Sequence, residues 1–291
     1  MELMKKILMM ALMLLPILGC GTTVTPTASD PTLKAVDQRV LVMNENAKTH
    51  QLEQILTIDH SRLAGKADEY LNASRVDFYS DDALNTSLLT INPQVGLDLP
   101  FRVLNYAEGN TIHTIYTDAQ FIQKRHGIRD ESILVSYNQH INELVDGLDN
   151  TKPVNSEGVT EGYGIETLVS EYDFDTTLTK IKKEVLNQDD TVWFMNLDYK
   201  KRAEAIGKTL PNTTLLVFGG PAPGAKAMVD FPSIGLDAFG QKVLVIEQDG
   251  QVLVKYNNIV DLAELHYGDN AIAHKVINYR LSKTLSRAIE K

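Results

Sequence analysis

The chain repeats itself at long range, and this constrains its fold more than any other feature. Asp59 and Asp198 stand 139 residues apart, as do Gly96-Leu97-Asp98 and Gly235-Leu236-Asp237. Tyr116 and Tyr256 stand 140 apart, as do His126 and His266. Landmarks in one order at a near-constant offset point to duplication. Solenoid repeats run to about 20–50 residues, so this period implies two copies of a whole domain.

Local patterns predict what each copy contains. In the second copy, 165–172 is β-prone, and residues 173–176 supply helix caps. Leu178, Ile181, Val185 and Leu186 then recur at helical spacing. Residues 192–197 read as a strand and 200–210 as a helix stopped by Pro211. Residues 213–218 read as a strand ended by the turn cluster GGPAPG. Strands at 242–247 and 251–256 flank the hairpin signal Gln248-Asp249-Gly250. Helices follow at 259–265 and 271–289.

The first copy predicts a strand at 54–58, a helix at 63–71, strands at 103–106 and 111–116, and a helix at 133–148. Residues 33–44 fit either a strand or a helix, so this copy reads as divergent, with a sheet edge left to be covered. Together these patterns give an α+β class: two tandem small antiparallel-sheet domains, each with helices on one face.

The N-terminus predicts the compartment. Lys5 and Lys6 precede an apolar run over 7–18, then Gly19 and Cys20, which is the layout of an export signal. As a helix that run covers about 18 Å, short of a hydrocarbon core of about 30 Å. Ile17-Leu18-Gly19-Cys20 resembles the bacterial lipobox, which implies cleavage before Cys20 and acyl chains on its thiol. Cys20 is the only cysteine, so no internal disulfide is available. The expected divisions are a signal peptide over 1–19, a Thr/Ser/Pro-rich tether over 20–31, a first domain over 32–150, a linker over 151–164 and a second domain over 165–291. The expected partner is a lipid bilayer, with the outer membrane facing the periplasm implied for a Gram-negative host. Removing Glu2, Lys5 and Lys6 with the signal takes the net charge from −10 to −11. An acidic balance of that size argues against nucleic acid as a partner.

The second copy resembles the bacterial family called domain of unknown function 302 (DUF302). The residues that carry this are Asp175-Thr176-Thr177-Leu178, Leu197-Asp198, Leu215 to Gly219 with Pro221, Gly235-Leu236-Asp237, Lys242 to Val245, Asp249-Gly250 and Tyr256. The first copy matches at Ile58-Asp59-His60, Leu97 to Pro100, Arg102-Val103-Leu104 and Tyr116. It has Tyr79-Ser80-Asp81-Asp82 where the second copy has its Phe-Gly-x-Pro turn. The resemblance implies a fold similar to one repeat of the TATA-box-binding protein, and it implies no activity.

The candidate ligand-binding residues are Asp198, Asp237, Tyr256 and His266, with Asp59, Asp98, Tyr116 and His126 as their first-copy counterparts. Asp59 and Asp198 fit a helix N-cap as well as a cleft carboxylate. Asp98 and Asp237 fit a turn aspartate as well as a pocket charge. The histidines allow acid–base work or metal binding, but no HExxH or other metal-ligand spacing supports it. GGPAPGAK lacks the ending of a phosphate loop, and no GxSxG occurs. The favoured reading is a non-enzymatic ligand- or protein-binding envelope module without a cofactor. The alternative is an enzyme or metal carrier in which Asp198, Asp237, Tyr256 and His266 meet in one cleft.

Overall fold

A computed structural model describes residues 30–291 apart from Ala238. The expected signal, Cys20 and most of the expected tether lie outside the described residues. The first copy runs α1 (Pro31–Thr49), β1 (Glu53–Asp59), α2 (His60–Lys66), β2 (Ser74–Ser80), α3 (Asp82–Ile91), β3 (Phe101–Glu108), β4 (Thr111–Tyr116), α4 (Ala119–His126), α5 (Glu131–Val145) and β5 (Thr151–Pro153). The second runs β6 (Ile165–Ser170), α6 (Phe174–Leu186), β7 (Val192–Asp198), α7 (Tyr199–Ala205), β8 (Thr213–Gly219), α8 (Pro221–Met228), β9 (Gln241–Gln248), β10 (Gln251–Asn257), α9 (Ile259–Tyr267) and α10 (Ile272–Ile289). A single 3-10 turn precedes β3 and β9, at Pro93–Leu97 and Pro232–Leu236.

Each copy forms a five-stranded sheet, ordered β1-β2-β3-β4-β5 and β6-β10-β9-β8-β7. Strand alternation gives each sheet two apolar faces. In the second sheet, Leu216, Val243, Val245 and Val254 pack outward under Ile181 and Val185 of α6 and Leu281 and Leu285 of α10. Leu215, Val217, Leu244 and Ile246 point the other way, into a core shared with the first copy. The first sheet is built alike, with α1 and α5 on its outer face. The molecule is therefore a helix–sheet–sheet–helix stack, with each sheet carrying its long helices on one face.

The copies differ at one edge. In the second copy, β6 pairs antiparallel with β10. The first copy has α1 in place of the corresponding strand and helix. Leu33, Val36, Val40, Met43 and Ala47 line one face of α1, so the ambiguous stretch is helical. The edge of β4 that this leaves open is taken by β5, paired parallel to it, so the expected linker opens with a strand.

Three further expectations need correction. The GGPAPG cluster is not only a turn: Gly220 precedes α8, whose first residue is Pro221, and a proline is favoured at the first helical position. The helix expected at 63–71 instead begins at His60 behind its Asp59 cap and ends at Lys66. The elements β2, α3 and α4 fall in stretches for which no element was predicted. Among the described residues, no helix is long and apolar enough to cross a membrane.

Candidate functional site

Asp59 and Asp198 both end an edge strand and begin a helix. Their Oδ1 atoms accept the backbone N–H of Arg62 and Lys201 at 2.8 and 2.9 Å, which satisfies orphan donors of α2 and α7. The next residues, His60 and Tyr199, turn into the interface between copies. The Tyr199 hydroxyl lies 3.0 Å from the Gly96 carbonyl and 2.7 Å from that of Leu99, in the first copy. His60 lies against Gly235 in the second copy, so the contact is reciprocal, as in a two-fold dimer. The His60 Nδ1 pairs with the Ser74 hydroxyl at 3.0 Å, and its ring packs on Phe239. Burial pushes its pKa down to about 3.

Asp98 and Asp237 sit between the sheets in a buried ionic cluster. The Asp98 carboxylate receives Arg102 at 3.0 Å, Arg125 at 2.7 Å and His126 Nε2 at 2.6 Å. Burial alone would raise its pKa, but Arg125, His126 and Arg102 hold it well below the usual range. Asp237 pairs with Lys242, and with Arg102 at 3.3 Å, so the Arg102 guanidinium links the two aspartates across the copies. Burial, with Arg102 and Arg125 nearby, pushes the Lys242 amine well below its usual range. Arg125 also donates to the Tyr163 carbonyl at 2.9 Å and to Asn257 Oδ1 at 2.8 Å, tying the linker and the second copy to the first. This cluster is sealed from solvent and its carboxylates are partnered, so it joins the copies and offers no open ligand site.

The remaining candidates are spread apart. Tyr116 and Tyr256 face the outer helices. His266 Nδ1 pairs with the Ser233 hydroxyl at 3.1 Å, with its pKa pushed down to about 4 by burial and Lys152. Thus Asp98 meets His126 directly and Asp237 through Arg102, whereas Asp198, Asp237, Tyr256 and His266 share no cleft. Among the described residues, no group of three or more His, Cys, Asp or Glu side chains is placed to hold a metal.

Sequence reasoning missed Arg102, Lys242 and Arg125. A signal for two of them was present: Arg102-Val103-Leu104 and Lys242-Val243-Leu244 keep a cation in register across the repeat. It also missed an apolar pocket, which opens where β8 meets α8. Phe218, Pro223, Ile277 and Leu281 form its floor, and Gln188, Asp190, Thr191 and Arg280 its rim. Its volume is about 60 Å³. Arg280 is held in a two-pronged pair with Asp190, both contacts at 2.8 Å. Glycines shape the wall. A Cβ on Gly219 would lie 1.8 Å from the Phe239 carbonyl oxygen, and one on Gly224 would lie 2.5 Å from the Phe239 ring.

The corresponding place in the first copy is polar and not apolar. Tyr79 stands where the second copy has Phe218, and its hydroxyl bonds Asn44 of α1 at 2.7 Å. Ser80 and Asp81, at the positions of Gly219 and Gly220, line an open polar hollow of about 480 Å³ whose charges are already paired. They include Arg202 with Glu53 and Asp82, and His140 with Asp81.

The family model described as "Domain of unknown function DUF302" matches residues 29–148 and again 166–291. A similar solved structure is that of an uncharacterized conserved protein DUF302 from Bacillus stearothermophilus. It is 14% identical over 43% of this chain and 95% of its own, with a TM-score of 0.37. No curated protein matches.

Proposed function

Because the chain belongs to the DUF302 family, in two tandem copies, we propose that it is an exported, lipid-anchored, non-enzymatic binding module whose second copy takes a small ligand. The observation that carries this is the asymmetry of the two pockets. The second copy has an apolar pocket beside Gly219 and Gly224, whereas Ser80 and Asp81, at the positions of Gly219 and Gly220, line a polar hollow in the first. A volume of about 60 Å³ exceeds the 10–15 Å³ or so that one water position needs, and admits the apolar end of a small molecule. The rim groups Gln188, Thr191 and Arg280 suit a polar end left at the mouth.

The anchor rests on the sequence pattern at 5–20, with a thioether-linked diacylglycerol on Cys20 and further acylation once its amine is freed. Two or more acyl chains give stable attachment. The sealed ionic cluster and the dispersed histidines support binding over catalysis, because among the described residues no nucleophile, base and open cavity coincide.

Native mass spectrometry of the chain purified from its host tests the pocket. The reading expects a retained small molecule that is lost in Ile277→Trp, with thermal stability unchanged. An empty wild-type chain, or a ligand held equally by Ile277→Trp, would overturn it.

A further inference from the structure

We propose that the outward face of α10 is a membrane-contact surface that lies on the phospholipid headgroups of the membrane holding the anchor. The proposal rests on the lipid-anchored reading. Buried Leu281, Leu285 and Ala288 fix one face of this helix on its sheet. The opposite stripe therefore faces solvent, and it is not an ordinary polar stripe. Ile272, Val276 and Tyr279, at helical spacing, are 80%, 51% and 65% exposed. Val229, 50% exposed, lies beside them, because His274 bonds the Ala227 carbonyl at 2.9 Å.

Charge identifies the occupant. The helix carries Lys275, Arg280, Lys283 and Arg287 and no acidic residue. Its counterpart in the first copy, α5, carries Glu131 and Glu143 and no Lys or Arg. The exposed side of α10 is thus basic and apolar, whereas α5 exposes Val135 on a helix whose formal charges are all acidic. Lysine and arginine flanking exposed apolar side chains suit the anionic headgroup–acyl boundary.

The attachment point lies at the end of the stack where α10 begins. The first turn of α1 packs Leu33 and Val36 against Ala107 and Ile112, at the tip of the β3–β4 hairpin. Glu108 of that hairpin is close enough to Tyr267 to raise its phenol pKa further, beyond the effect of burial. Tyr267 ends α9, just before α10 begins at Ile272. Residues 20–30 span at most about 40 Å when extended, so an anchor at Cys20 keeps this end of the stack near the bilayer.

The test couples the chain from Cys20 onward, through that thiol, to a synthetic maleimide lipid in phosphatidylethanolamine–phosphatidylglycerol vesicles with brominated acyl chains. The probes are Tyr279→Trp and, on the opposite face, Val135→Trp, each in a Trp193→Phe background. The proposal expects most of the Tyr279→Trp fluorescence to be quenched and that of Val135→Trp to be retained. Adding Lys275→Glu and Lys283→Glu should restore the lost signal. Equal quenching at both probes, quenching at neither, or quenching of Tyr279→Trp only when host membrane proteins are added would overturn it; the last outcome would point to a protein partner. The synthetic anchor makes this result independent of lipidation in the host. The intact mass of the chain extracted from host membranes reports that separately.

Discussion

The Tyr199 hydroxyl of the second copy lies 2.7 Å from the Leu99 carbonyl of the first, and this contact locks the two copies together. Tyr199 is 2% exposed, so removing its hydroxyl leaves buried carbonyls without a donor. Tyr199→Phe should cost about 1–3 kcal/mol in urea unfolding. The copies share one core, so Trp193 fluorescence and far-ultraviolet dichroism should report one coincident transition in both proteins. Separate transitions in the wild type would contradict the shared core.

Asp98 and Asp237 should differ in what their loss does. Asp98→Asn leaves Arg102 and Arg125 buried without a full counter-charge, and a broken buried pair costs about 3–5 kcal/mol. Asp237→Asn should cost less, because Arg102 then still has Asp98 as its counter-charge. Denaturation midpoints at neutral pH compare the two, and an equal loss would refute the distinction.

Acid should destabilise the protein before its carboxylates titrate. Folded His60 has its pKa pushed down to about 3, and folded His266 to about 4. The unfolded histidines titrate near 6.5, so as the pH falls the unfolded chain takes up these protons first. The stability tied to both residues is therefore complete above about pH 6.5 and falls progressively below it, ending near pH 3 for His60 and near pH 4 for His266. Between pH 6.5 and 5 each should contribute a loss of about 2 kcal/mol. His60→Gln should remove its share of that slope, measured by urea unfolding across the pH range. An unchanged slope would show that His60 is not held neutral.

Two glycine-to-alanine changes should move in opposite directions. A Cβ on Gly65, within α2, meets nothing within 4 Å, so Gly65→Ala should stabilise by about 0.5–1 kcal/mol through helix propensity. Gly219→Ala drives a methyl into the Phe239 carbonyl oxygen and should destabilise by several times that, about 2–4 kcal/mol. Thermal denaturation of the two variants checks the pair.

The duplication was legible because its landmarks are local: the Gly-Leu-Asp turns, the capping aspartates and the hairpin glycines each meet a backbone need. The α1 helix was legible in principle from Leu33, Val36, Val40 and Met43, whose spacing fits a helix and not a strand. The start of α8 was hidden because Pro221 and Pro223 usually break structure, and only their place in its first turn makes them compatible with it. The ionic cluster was half legible. Asp98 and Asp237 stood out by recurrence, but their partners come from different elements and become neighbours only when the sheets stack. The apolar pocket was not legible, since Phe218, Ile277 and Leu281 look like ordinary core residues and Gly219, Gly220 and Gly224 read as part of a turn cluster.

Hydrogen exchange on the chain as purified from its host, compared with the same chain unfolded, stripped of small molecules and refolded, tests the division of labour between the copies most directly. The account predicts that stripping speeds exchange around residues 218–224 and 277–284 and leaves 79–85 and 137–144 unchanged. Faster exchange in the first-copy segments, or the same change in both copies, would contradict it.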